Sequence, residues 1–141
     1  MNDKINNLIP AAIRSVQENI FEKDEKKIPK EYKGYISSMG ASIIQTGLLP
    51  TLAFFQNDEG KKAKSSYLLK AIFDVLEPRH NRNRKLIDYV IDRVKNNSNN
   101  SNTVQNSNSD IDTDKLQILT DEISDILVAL KLALRTFKID D

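Results

Sequence analysis

Apolar side chains recur at every third or fourth position through most of this sequence, and that spacing restricts the chain to amphipathic α-helices. The clearest apolar stripe comprises Leu116, Leu119, Ile123, Ile126, Leu130, Ala133 and Phe137. Spacings of three and four place such residues on one face of a helix. No segment shows the sustained apolar–polar alternation that predicts a half-buried strand. We therefore expect an all-α fold.

The same spacing predicts a compact bundle of about five helices. The first contains Pro10, which lies either in its first turn or at a kink. The second is predicted to be long, over residues 31–56. A kink is expected near Pro50, because proline lacks an N–H group and clashes with the carbonyl of Thr46. The remaining three helices are expected over residues 63–76, over 86–94 and along the C-terminal stripe.

Length and composition predict a single helical domain over residues 1–141, since 39% hydrophobic residues suffice for one modest core. Residues 96–109 read NNSNNSNTVQNSNS, with no charge and one aliphatic side chain. Such a stretch cannot bury enough apolar area to offset the entropy lost on ordering. We expect a disordered, flexible insertion over 96–110, before the last helix.

The composition also indicates the cellular setting. The chain has no cysteine, which excludes disulfides, thiolate metal sites and cysteine nucleophiles. The N-terminal segment lacks the apolar core of a signal peptide. The most apolar run, residues 47–55, is far shorter than the ~20 residues that cross a bilayer. We expect a cytoplasmic protein without a membrane partner.

Few residues could support catalysis. His80 is the one histidine, so a second imidazole for a zinc site is lacking. One class of helical ribonuclease pairs an arginine with a histidine several residues downstream, but the arginine before His80 is the adjacent Arg79. Asp88 and Asp92 share a helix face but lack further metal ligands. We expect no catalytic residue, metal or cofactor, and an ordinary exposed loop histidine at position 80. A helical ribonuclease centred on His80 is the less favoured alternative.

Basic residues concentrate in two places, although the net charge is only +1. The candidate RNA-binding residues are Arg79, Arg82, Arg84, Lys85, Lys131 and Arg135. The first four surround the start of a predicted helix, where cations oppose the helix dipole, so a phosphate backbone could offset their repulsion. A solvated loop is the alternative there, and dipole complementarity is the alternative for Lys131 and Arg135. Aromatic residues do not interleave with these cations, so we expect contact with the RNA backbone without base readout.

Residues 35–55 carry a resemblance to a known family. A tyrosine-led helix runs into Ile44-Gln45, then Gly47-Leu48, and closes with Thr-Leu-Ala-Phe at residues 51–54. This segment resembles the signature of the small subunit of the type III-B CRISPR (Cmr) RNA-guided effector complex. The stretch over 130–137 is similar to the closing helix of that family, and the all-α layout agrees.

The resemblance implies a non-catalytic subunit that serves antiviral defence. Family members stack with copies of themselves and with other subunits of the Cmr complex, and together they hold guide RNA and target RNA. The resemblance places subunit contacts at Gln45, Gly47, Leu48 and Phe54, and RNA neighbours at Lys131 and Arg135. The arginines and lysine of residues 79–85 are candidates from charge alone. A generic helical adaptor that binds only protein through the apolar run over 48–55 is the alternative.

Overall fold

The computed structural model describes residues 3–56, 63–81, 83–96 and 110–137. Within these ranges the chain forms six helices and no strand. They are α1 (Asp3–Asn19), α2 (Glu31–Thr46), α3 (Leu48–Phe55), α4 (Ala63–Leu76), α5 (Leu86–Val94) and α6 (Thr113–Leu134). The predicted all-α class is therefore confirmed. None of the helices in these ranges is long and apolar enough to cross a membrane.

The predicted second helix is two helices, so the count rises from five to six. The chain breaks at Gly47, which has φ 99° and ψ 166°, and the Gly47 N–H closes α2 on the carbonyl of Ile43. That conformation is almost restricted to glycine. Pro50 is the third residue of α3. Its missing N–H costs nothing in the first turn, where backbone donors have no helical partner. The kink expected at Pro50 thus lies at Gly47.

Three hydroxyl groups hold the α2–α3 corner. Thr51 Oγ1 donates to the carbonyl of Gly47 over 2.8 Å and lies 2.7 Å from Ser42 Oγ. Thr46 Oγ1 donates to the carbonyl of Ser42 over 2.9 Å. Thr51 is fully buried, so its hydroxyl needs these partners. Side-chain hydrogen bonds therefore add to the backbone bonds of Gly47 and Thr51 where the helix direction changes.

The core lies between α6 and the helices around it, and all six helices contribute buried residues to one apolar cluster. The central part of the predicted α6 stripe is buried, including Leu119, Ile123 and Leu130. At one end, the rings of Phe21, just after α1, and Phe137, just after α6, lie 5.3 Å apart. Pro10 is inside α1 rather than in its first turn. The predicted apolar faces therefore meet as their spacing requires.

The predicted flexible insertion falls largely on residues 97–109, which lie outside the described residues. Its two ends are described and meet. The N–H of Asn96 donates to the carbonyl of Asp110, and the N–H of Asp112 donates to the carbonyl of Val94, each over 2.7 Å. The Asp112 side chain also caps α6 by accepting from the N–H groups of residues 114 and 115. The chain therefore enters α6 from a point beside the end of α5.

Candidate nucleic-acid interface and subunit surface

The loop over residues 77–85, between α4 and α5, carries the first group of predicted RNA-binding residues. Arg79 is exposed on this loop, and Arg84 and Lys85 are exposed immediately before α5. Arg82 lies outside the described residues. Lys85 occupies the N-cap position of α5 and makes no capping hydrogen bond with its side chain. The helix thus begins among cations, with no side-chain acceptor at its cap.

His80 anchors this loop to the core. Its Nε2 lies 2.6 Å from Asp74 Oδ1, and its ring stacks on Phe73 with 3.7 Å between centroids. The Nδ1 atom is 3.0 Å from the carbonyl of Asn81. Asp74 Oδ2 also accepts from Asn19 Nδ2 over 2.9 Å. The His80 side chain is 6% exposed, so the expectation of an ordinary exposed loop histidine was wrong.

An aromatic ring does lie among the basic residues, contrary to the expectation from sequence. The guanidinium carbons of Arg84 and Arg93 lie 5.6 and 5.5 Å from the ring centroid of Tyr89. Arg93 Nη1 donates to Tyr89 Oη over 2.5 Å, and Phe73 packs 5.1 Å from the same ring. The sequence signal for this contact was the i, i+4 spacing of Tyr89 and Arg93 on α5. These contacts fix the two guanidinium groups at the surface of α5.

The charges of these cations are balanced unequally. Arg84 forms an ion pair with Asp92, which also accepts from Lys95 Nζ at 3.3 Å. Within the described ranges, Arg79, Lys70 and Lys85 form no ion pair. No described carboxylate therefore neutralises these three charges, and Lys70 Nζ lies 5.6 Å from the ring centroid of Tyr67.

A cleft of about 220 Å³ opens between the end of α3, helix α4 and the start of α5. Arg84 and Lys85 line it together with Lys70 of α4 and Gln56 at the end of α3. No acidic residue is among the described residues that line it. The structure thus brings two of the six predicted RNA-binding residues into one cleft. Sequence reasoning missed Lys70 and Gln56, because only the packing of α3, α4 and α5 places them there.

The other predicted RNA-binding residues that the structure describes lie elsewhere. Lys131 and Arg135 are exposed at the C-terminal end of α6, and Arg79 is exposed on the α4–α5 loop. None of the three lines the cleft. Lys131 and Arg135 lie where cations complement the partial negative charge of a helix C-terminus. They form a second, separate basic feature.

The predicted subunit-contact residues divide by burial. Phe54 is 65% exposed, and another apolar residue, Ile44 on α2, is 86% exposed. Gln45 is exposed and Gly47 is half-buried. Leu48 is 1% exposed, so it packs in this protein's own core and offers no side-chain surface to a partner. Its burial agrees with a packing position, and its assignment to a subunit contact stays a prediction.

Comparison with known families matches residues 6–133 to the family described as CRISPR-associated protein (Cas_Cmr5). The chain belongs to the Cas_Cmr5 family. It is therefore a CRISPR-associated subunit of the Cmr complex, and the resemblance to the small type III-B subunit is confirmed. No curated protein and no solved structure matches the chain.

The Cas_Cmr5 match includes the structural features that carry the candidate sites. It spans the glycine corner at Gly47, the exposed Phe54, the whole cleft and Lys131. It ends before Arg135. Association with other Cmr subunits follows from the family.

Proposed function

We propose that this Cas_Cmr5 family member is a non-catalytic subunit that stacks within the Cmr complex and helps to hold guide RNA and target RNA. The observation that carries the proposal is the basic surface at the start of α5. Lys70 and Lys85 there lack a described ion-pair partner, and the cleft between them has no described acidic lining. RNA-binding proteins neutralise phosphates with such lysines and arginines.

Helix electrostatics support an anionic partner at this surface. The first N–H groups of α5 carry partial positive charge, and Arg84 and Lys85 add full charges beside them. This arrangement destabilises the isolated helix start. A phosphate would accept from the helix N–H groups and neutralise the cations at the same time.

The end of α6 offers a second place for RNA. Lys131 and Arg135 are exposed, one helical turn apart, and form no ion pair with a described residue. Complementarity with the helix dipole explains their position equally well. We propose that they contact the backbone of the bound RNA, as the family resemblance implies.

Exposed apolar side chains support the stacking part of the proposal. Ile44 near the end of α2 and Phe54 near the end of α3 are large, mostly exposed residues. Apolar side chains that form one exposed patch mark protein contacts. We propose that this surface of α2 and α3 contacts a neighbouring subunit or a second copy.

The surroundings of His80 support a role without catalysis. Both ring nitrogens face acceptors, Asp74 Oδ1 and the carbonyl of Asn81. The ring is also covered by Phe73. His80 is among the residues that line the cleft, but a general acid or base needs a ring nitrogen free to reach the reacting atom, and here both nitrogens hold the loop.

The experiment measures RNA retention by the assembled Cmr complex over a range of salt concentrations. Replacing Lys70 and Lys85 with alanine, and separately Lys131 and Arg135, should weaken retention. For every phosphate of a single strand that a variant no longer neutralises, the slope of log K against log salt should fall by about 0.7. Lys23→Ala, an exposed lysine on the loop after α1, is the matched control.

Two outcomes would contradict the proposal. Unchanged retention and slope in both double variants would remove these residues from the RNA site. An assembled complex whose retention of RNA does not depend on this subunit, even at low salt, would favour the protein-only adaptor.

A further inference from the structure

Gln56, which lines the cleft beside α5, carries an acceptor without a donor. Its Oε1 atom is buried and has no hydrogen-bond partner among the residues that the structure describes. Gln56 is the C-cap residue of α3, and its backbone N–H donates to the carbonyl of Leu52. The side chain is not needed for this cap. Buried polar groups in native proteins are nearly always paired. A donor from outside the chain would complete this one.

The other residues that line the cleft indicate which kind of ligand would carry that donor. Leu69, Phe73 and Leu86 give the lining an apolar part, and Lys70 and Lys85 give it positive charge. Arg84 adds a guanidinium that Asp92 already partly neutralises. A fitting ligand therefore combines a hydrogen-bond donor, an apolar flat body and an anionic group.

The size of the cleft limits the ligand further. Its volume of about 220 Å³ is below the roughly 300–1,000 Å³ of pockets that enclose a whole small molecule. A single planar group fits that description better than a complete cofactor. A free phosphate would pair with the lysines but has no apolar body to cover Leu69, Phe73 and Leu86.

We propose that the cleft takes one unstacked nucleotide of the bound RNA. The base enters the cleft and donates an N–H to Gln56 Oε1, while the adjoining phosphate contacts Lys70 and Lys85. This inference rests on the proposed RNA-holding function and adds a base contact to it. Adenine, cytosine and guanine carry an amino group and uracil an imino N–H, so the contact requires a base without selecting one strongly.

The test compares three probes on the isotope-labelled full chain by NMR titration: cytidine monophosphate, ribose 5-phosphate and inorganic phosphate. Cytidine monophosphate should bind about tenfold more tightly than ribose 5-phosphate and shift the Gln56 side-chain amide. Gln56→Met, which keeps the length of the side chain, should abolish that preference and leave ribose 5-phosphate binding unchanged. Gln17→Met is the matched control, because Gln17 is exposed on α1.

The outcomes separate this inference from the proposed function. Equal binding of cytidine monophosphate and ribose 5-phosphate by the unmodified chain overturns the base contact, whether or not Gln56→Met folds. If Lys70→Ala and Lys85→Ala still weaken RNA retention by the assembled complex in that case, phosphate binding stands alone. If those variants also retain RNA normally, the proposed function at this surface fails as well.

Discussion

His80 Nε2 and Asp74 Oδ1 lie 2.6 Å apart, and this pair fastens the α4–α5 loop to α4. The same carboxylate accepts from Asn19, whose amide also bonds to Ser15 of α1. Ser15 Oγ in turn donates to the carbonyl of Ala71 over 2.7 Å. The loop that presents the basic residues is therefore held by hydrogen bonds that reach two helices.

Removing the imidazole should destabilise the fold. His80→Ala deletes the stacking on Phe73 and leaves Asp74 without one of its partners. We expect the free energy of unfolding to fall by roughly 1–3 kcal/mol, measured by urea denaturation. Arg79→Ala, at the adjacent exposed position, should change it by less than about 0.5 kcal/mol.

The same variant tests the ribonuclease alternative. We expect neither the purified protein nor His80→Ala to turn over RNA, because the imidazole is engaged in the loop anchor. RNA cleavage that disappears in His80→Ala and persists in Arg79→Ala would overturn the non-catalytic proposal.

Alanine substitutions at Gly34, within α2, and at Gly47, at the end of α2, should change the free energy of unfolding in opposite directions. Gly47 has φ 99°, so Gly47→Ala should cost about 1–3 kcal/mol of stability. Gly34 lies in the exposed part of α2, and a Cβ there would meet no atom within 4 Å. Gly34→Ala should gain about 0.5–1 kcal/mol through its better helix propensity. Thermal and urea unfolding measure both changes in stability. An unchanged stability of Gly47→Ala would contradict the backbone conformation described for the α2–α3 corner.

Periodicity predicted the helices well, because each helix buries the face that its own sequence defines. The α6 stripe and its cap at Asp112 could be read from neighbouring residues alone. The break at Gly47 could not, since glycine is compatible with both a continuous helix and a corner. The kink was predicted at Pro50 because the steric effect of proline can be inferred from the local sequence. In the structure, Pro50 lies in the first turn of α3, where proline costs no helical hydrogen bond.

The candidate site was less accessible from sequence than the fold. Arg84 and Lys85 were found because they are adjacent in a run without acidic residues. Gln56 and Lys70 join them only through the packing of three helices. Likewise, the role of His80 depends on Asp74 and on Asn19, which is 55 positions from Asp74. No local pattern reveals contacts of that kind.

Substitutions at Phe54 and Leu48 should have different effects, the first on assembly of the Cmr complex and the second on the stability of this protein. Phe54→Ser removes a mostly exposed ring, so the free energy of unfolding should change by less than about 1 kcal/mol while binding to the other Cmr subunits weakens. Leu48→Ala opens a cavity in the core and should cost about 2–5 kcal/mol. Denaturation and co-purification measure the two effects. Full assembly with Phe54→Ser would exclude this ring from the subunit interface.

Alkaline pH should destabilise the protein through Tyr32. Burial, and then the negative charge of Glu22, raise the pKa of the Tyr32 phenol well above its usual range. The unfolded state releases this proton near pH 10 while the folded state keeps it, so stability falls as pH rises above about 10. Below that pH the group adds no pH dependence.

Comparing variants isolates this contribution from other titrating groups. Tyr32→Phe should flatten the decline by up to about 1.4 kcal/mol per pH unit above pH 10, measured by urea denaturation across that range. Tyr35→Phe, on the same helix, should retain the decline. An unchanged slope in Tyr32→Phe would show that its phenol ionises alike in both states.

Replacing residues 97–109 with Asn-Gly should leave the fold intact. The backbone hydrogen bonds between Asn96 and Asp110 and between Asp112 and Val94 already bring the ends together in antiparallel register. A two-residue turn of this composition closes such a pair, and each halving of loop length returns about 0.6 kcal/mol of closure entropy. The free energy of unfolding, measured by urea denaturation, should therefore stay equal or rise.

RNA retention by the assembled complex should not change in this variant, because the basic residues proposed to bind RNA lie outside the replaced segment. A loss of retention without a loss of stability would instead assign the Asn/Ser-rich segment a role in the assembly.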